Sequence, residues 1–298
     1  MAAVGDTGCR VVSGAWTRVS RAGVWLGLVW WLSGCTGVFL QPDRHPYFAD
    51  RPLSTPAESV VIRSADGVRL HALFLPATAT PRGLVLFLHG NAENLSSHVF
   101  AVNWLPAAGY GVLVPDYRGY GRSEGRADLD GAHADADAAL RWLLAHEPHL
   151  PVVVYGQSLG ASVAIRLVAA TDDRARLRAL VADSGFASYR GIAREKLAQA
   201  WLTWPFQWLA VPLISDRHAA LDVVAQVAPV PLLLIHGERD PVVPIAHAET
   251  LYDAAQPPRQ LWRIADGGHI DAVRRPAFRT RLTQYLDAVV ADPADAAP

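Results

Sequence analysis

The chain has 298 residues, of which 51% are hydrophobic, a formal net charge of −1 and two cysteines. That is enough apolar chain for one large core or two small ones, and a near-neutral balance without a run of one sign excludes nucleic acid as the expected partner. Both cysteines, Cys9 and Cys35, lie near the N-terminus. The rest of the chain therefore offers no disulfide and no cysteine metal site.

Arg10, Arg18 and Arg21 precede an uncharged stretch from Ala22 to Leu40 that contains "GVWLGLVWWLSGC". A basic region, an apolar core and small residues form the pattern of a secretory signal. Leu32-Ser33-Gly34-Cys35 resembles a bacterial lipobox, in which the cysteine is lipidated and begins the mature chain. The stretch is 19 residues long, so an uncleaved anchor is a second reading, since roughly 20 residues span a bilayer. A buried core helix is a third. The first two both put the domain in the bacterial cell envelope, facing the periplasm or the outside and held at a membrane, because basic flanks stay inside. Gln41 to Ser59 is proline-rich and reads as an extended tether.

Val60 to Ile62 and Leu70 to Leu75 read as a hairpin turning at Asp66-Gly67. A strand is expected over Leu84 to Leu88, then helical spacing from Leu95 to Leu105, then a strand over Val112 to Val114. A helix follows over Ala134 to Ala145. Val152 to Val154, a β-branched run suited to a sheet covered on both faces, leads into helical spacing at Ala161, Val163, Ala164, Ile165 and Leu167. Further strands are expected at Leu180 to Ala182, Leu232 to Ile235 and Leu261 to Ile264, and a closing helix over Phe278 to Val290. Alternation of this kind predicts an α/β fold with a mostly parallel sheet and helices on both faces. Residues 185–228 break the rhythm and read as a short helical cap. Its Trp201, Trp204 and Trp208 are expected to pack the cap to the body, to line an acyl pocket, or to do both. The division is then 1–34 signal, 35–57 tether, 58–290 catalytic domain and 291–298 flexible tail.

Ser158 lies in "GQSLG", between the strand at Val152 and the helix of Leu167. A strand turning into a helix so abruptly strains its corner residue, and such strain gathers at functional sites. The pattern is that of a nucleophile elbow. A serine needs a base, and the base an orienting acid. The candidates are His269 in "GGH" and Asp240 in "HGERDPVVP", each after a predicted strand; Asp183 is the next acid. An oxyanion hole needs rigid N–H donors. The amide of Leu159 would be one, and that of Asn91 (or Ala92), in "HGNAEN", the other.

Together, "HGNAEN", "DYRGYGRSEG", "GQSLG", "HGERDPVVP" and "GGH" resemble the serine α/β-hydrolase superfamily, in the branch that holds serine aminopeptidase-like and ABHD13-like hydrolases. The resemblance covers about residues 58–290. It implies the α/β-hydrolase fold with an eight-stranded sheet, no metal and no cofactor, and a structural role for "DYRGYGRSEG". Many relatives carry Asn-Asp after the final histidine, where this chain has Ile270-Asp271. Three functions follow. The first is an esterase acting on small-molecule carboxylic esters or thioesters through an acyl-enzyme. The second is an aminopeptidase-type peptidase, disfavoured because the cap holds only Glu195, Asp216 and Asp222 to grip a free amine. The third is a non-catalytic envelope protein.

Overall fold

Eight strands form one sheet in the order β1-β2-β4-β3-β5-β6-β7-β8 in this computed structural model, which describes residues 40–199, 201–202 and 204–291. The expected signal, the lipidation candidate Cys35 and tail residues 292–298 lie outside the described residues. The strands are β1 Glu58–Arg63, β2 Arg69–Leu75, β3 Gly83–Leu88, β4 Tyr110–Pro115, β5 Val152–Gln157, β6 Leu177–Asp183, β7 Leu232–Gly237 and β8 Arg259–Ile264. The β1–β2 and β2–β4 pairs are antiparallel, and every other pair is parallel.

Burial explains the apolar runs. Every residue of β3, β4, β5 and β7 is buried, as expected for central strands covered on both faces. One face packs against α2 (Leu129–His146), α3 (Leu159–Ala170) and α6 (Ala246–Ala254). The other is covered by the segment around Leu95 to Leu105 and by α7 (Pro276–Val290).

Two elements differ from the sequence reading. Leu95 to Leu105 is not one helix. It forms α1 (Leu95–His98) and then 3₁₀ turns over Val99–Ala101 and Leu105–Ala108. Asn94 caps α1 by accepting from the Ser96 amide, and Asn103 is engaged by the amide and hydroxyl of Ser54. Helix-poor Asn103 thus divides a segment whose apolar spacing alone suggests continuity. The second is α6, which the apolar pattern did not signal.

Nor is the segment after Leu40 a free tether. The Gln41 amide donates to Asn91 Oδ1 (3.0 Å), the Tyr47 amide to Ser96 Oγ (2.8 Å), and Asn94 Nδ2 to the carbonyls of Asp43 and His45. This strap lies across the loop that follows β3. The cap holds α4 (Tyr189–Gln199), a 3₁₀ stretch over Trp204–Leu209 and α5 (Ala210–Leu213).

Candidate active site

The C-terminal ends of the parallel strands share one edge of the sheet, where ligands of open α/β sheets bind. Asn91 follows β3, Ser158 β5, Asp183 ends β6, Asp240 follows β7 and His269 β8.

At Ser158 the backbone has φ 55° and ψ −116°, a conformation that costs roughly 1–3 kcal/mol and persists only where its surroundings enforce it. Those surroundings are backbone contacts. A Cβ added at Gly156 would lie 2.2 Å from the Gly160 carbonyl oxygen, and one at Gly160 would lie 2.0 Å from that of Leu88. Only glycine admits this approach of helix to strand. The Ser158 amide donates to the Asp183 carbonyl (2.8 Å), which fixes the corner from the other side. Among the described residues, five that are not glycine have positive φ. Glu93, Ser158 and Ile270 line one cavity, and Ser184 contacts its wall through the Ile270 amide. Backbone strain is concentrated at this rim.

The cavity, about 640 Å³, is lined by both Ser158 and His269. His269 Nδ1 donates to Asp240 Oδ2 at 2.7 Å. The donor must be the imidazole, because an ionised carboxylate only accepts, and this leaves Nε2 as the nitrogen that can exchange protons. Burial alone would raise the Asp240 pKa. The bond from His269 and those from the Val243 and Val242 amides (2.9 and 2.7 Å) outweigh it and hold the carboxyl below its ordinary range. The Asp240 side chain is fully buried and that of His269 17% exposed, so the pair is shielded yet open to the cavity. Beneath it, His236 Nε2 donates to the Val243 carbonyl (2.7 Å), and burial lowers its pKa.

Asp183, the other acid considered, does not take this role. Its carboxyl is buried, accepting from Gln157 Nε2 (2.9 Å), Ser184 Oγ (3.0 Å) and Tyr155 OH (3.2 Å), and burial pushes its pKa up to about 6. Ser184 Oγ in turn accepts from the amide of Ile270 (3.2 Å). Asp183 therefore braces the residue after His269 rather than His269 itself.

Leu159 and Asn91 both line the cavity. Leu159 opens α3, where amides have no partner within the helix and the helix dipole favours a negative charge. Asn91 is held by the loop after β4. The Tyr120 hydroxyl lies 2.8 Å from its carbonyl and 3.1 Å from its Oδ1. Tyr117 OH donates to the His89 carbonyl (3.2 Å), and Asp116 Oδ1 accepts from the Leu95 amide (2.7 Å). "DYRGYGRSEG" thus supports the loop that carries Asn91.

The tryptophans are a correction. None of Trp201, Trp204 and Trp208 lines the cavity, and all three are exposed. The cap instead contributes Phe186, Ile192 and Lys196, with Gln41 and Arg274 from elsewhere. Sequence reasoning missed these five. Ile192 and Lys196 are four residues apart on one helix, a spacing that marks a shared face once the helix is known. Among the described residues no three His, Cys, Asp or Glu side chains are grouped so as to hold a metal ion.

A parallel sheet of this order, with a strained serine at one strand end and a carboxylate-bound imidazole in the same cavity, defines an α/β-hydrolase. Residues 79–228 match the family model described as serine aminopeptidase, S33, and the chain belongs to that family. It is 37% identical over 257 residues to the uncharacterized protein YfhR of Escherichia coli O157:H7, covering 83% of this chain and 86% of that one. It is 29% identical to the lysophosphatidylserine lipase ABHD12 of Macaca fascicularis, covering 83% of this chain and 72% of the lipase. Its fold is similar to that of the Pyrococcus furiosus esterase Pf2001, with a TM-score of 0.68 and 26% identity, covering 85% of this chain and 98% of the esterase.

Proposed function

We propose that the protein is a serine hydrolase that cleaves carboxylic esters or thioesters through an acyl-enzyme. The observation that carries this reading is one cavity lined by a strained serine and by an imidazole bonded to a buried carboxylate. His269 Nε2 takes the Ser158 proton as Oγ attacks the acyl carbon, and Asp240 holds the tautomer and stabilises the imidazolium. The amides of Leu159 and Asn91 receive the oxyanion. Collapse expels the alcohol or thiol, which takes the proton from His269. Water then repeats the cycle on the acyl-Ser158 ester and releases the acid.

An ester substrate fits better than a peptide with a free amine. The cavity lining holds Lys196 and Arg274 against a single acidic side chain, Glu93. Two of the three cap acids are engaged elsewhere: Glu195 lies 3.0 Å from His247, and Asp216 accepts from the Ser188 hydroxyl and the Arg190 amide. An ammonium would meet a cationic wall. Two of the similar proteins are themselves called an esterase and a lipase. We also place the protein at a membrane of the cell envelope through lipidated Cys35, a reading supported by the sequence before residue 41; among the described residues no helix is long and apolar enough to cross a membrane.

The test is fluorophosphonate labelling of the full chain, together with hydrolysis of p-nitrophenyl esters beside aminoacyl naphthylamides. Labelling that vanishes in Ser158→Ala, with turnover of the esters alone, is expected. Label persisting in that variant, or turnover of the naphthylamides alone, would overturn the reading.

A further inference from the structure

From Leu197 to Ser215 the cap contains no charged residue; Arg194, Glu195 and Lys196 precede the stretch, and Asp216 and Arg217 follow it. Its aromatic side chains do not turn inward. Trp201 is 86% exposed, and Leu202, Trp204, Phe206, Trp208 and Val211 are exposed as well. These are six of the nine exposed large hydrophobic residues among those described. Single exposed apolar residues need no explanation, but a contiguous patch with a polar rim marks an interaction site.

The chemistry of the patch selects its occupant. Tryptophan and phenylalanine suit the boundary between lipid headgroups and acyl chains, and Arg194, exposed beside the stretch, suits an anionic headgroup. The stretch cannot cross a bilayer. Pro205 and Pro212 interrupt it, and α5 has only four residues. It can lie only on the surface. The position of the N-terminal strap points the same way. Leu40 is buried and Gln41 lines the cavity, and the uncharged stretch Ala22 to Leu40 runs directly into them. Cys35 precedes Gln41 by six residues, a reach of at most about 20 Å. Whether residues 22–40 are lipidated or span, a membrane would lie close to this rim. Helix α4 joins the two features, lining the cavity with Ile192 and Lys196 and leading into Trp201.

We propose that the exposed aromatic face of the cap, from Trp201 to Val211, docks on the surface of an anionic bilayer, so that the Ser158 cavity receives long-acyl amphiphilic esters from the membrane. The substrate clause rests on the esterase reading; the docking does not.

The full chain, reconstituted in vesicles of phosphatidylcholine and phosphatidylglycerol, tests both. A photocrosslinking side chain is placed on the patch (Phe206→benzoylphenylalanine) and, as a control, at exposed Val61 on β1 (Val61→benzoylphenylalanine). Lipid adducts at 206 and none at 61 are expected. No lipid adduct at 206, or adducts there only with a second protein chain or with residues 22–40, would overturn docking. In parallel, the triple variant Trp201→Ser/Trp204→Ser/Trp208→Ser should hydrolyse a short water-soluble ester within about twofold of the parent rate, yet lose at least about tenfold on a long-acyl ester held in the vesicles. Equal losses on both esters, or no loss on either, would overturn the proposal. Lipid adducts at 206 without hydrolysis of any ester would leave docking standing and refute the esterase reading. Ester hydrolysis without lipid adducts would do the reverse.

Discussion

The strand-end rim and the cap differ in how their side chains are held. At the rim, Ser158, Asp240 and the residue after His269 are each fixed by hydrogen bonds to backbone or to buried polar groups. In the cap, Trp201, Trp204 and Trp208 project into solvent. The rim suits bond making, which needs atoms held to a fraction of an ångström. The cap suits contact with a soft partner, for which geometry matters less than surface chemistry. Substitutions in the two regions should therefore fail in different ways.

The largest effect expected is at the rim. Ser158→Ala should lower ester turnover by about a million-fold with little change in melting temperature. A loss below about a hundredfold would remove the serine from the chemistry. Asp240→Asn should cost about 10⁴-fold in kcat, because the amide can donate to His269 and favour the wrong tautomer. Gly160→Ala should break the rim by another route. Its Cβ would lie 2.0 Å from the Leu88 carbonyl oxygen, so a loss of roughly 3–5 kcal/mol in unfolding free energy is expected in urea titrations.

Asp183 sharpens the comparison through pH. Its native pKa, about 6, lies above the unfolded value of 3.8. The native state therefore holds the proton longer, and the contribution of this group to stability is full below about pH 4 and falls as pH rises towards 6. The swing is about 3 kcal/mol at 1.36 kcal/mol per unit. Asp183→Asn should remove it, gaining on the parent as pH rises from 4 to 7. Parallel pH–stability curves for the two proteins would contradict this. The smallest effect belongs to the cap: Trp208→Ser should shift unfolding free energy by no more than about 0.5 kcal/mol, since the side chain is exposed.

The rim was legible because its demands are local. A glycine two places either side of a serine, and a histidine or aspartate just past an apolar run, reflect backbone geometry that sequence records directly. The eight strands were legible for a related reason: central strands buried on both faces read as uninterrupted apolar runs. The inward wall of the cavity was not legible. Phe186, Ile192 and Lys196 reach it only through the path of the cap chain, and Gln41 through a strap that read as a linker. The cap tryptophans misled because large aromatics are usually buried, and a stretch apolar all round carries no signal of which way it faces. Helical spacing at Leu95 to Leu105 likewise said nothing of Asn103, whose side-chain and backbone oxygens accept from Ser54.

Tyr120 spans the loop after β4 and the backbone of Asn91. A genetic screen for inactive variants would accordingly return Asp116, Tyr117 and Tyr120 alongside Ser158 and His269. Turnover alone would not tell the proposed reagents from scaffolding; the two groups would separate only when the yield of folded protein was scored together with the rate per folded molecule.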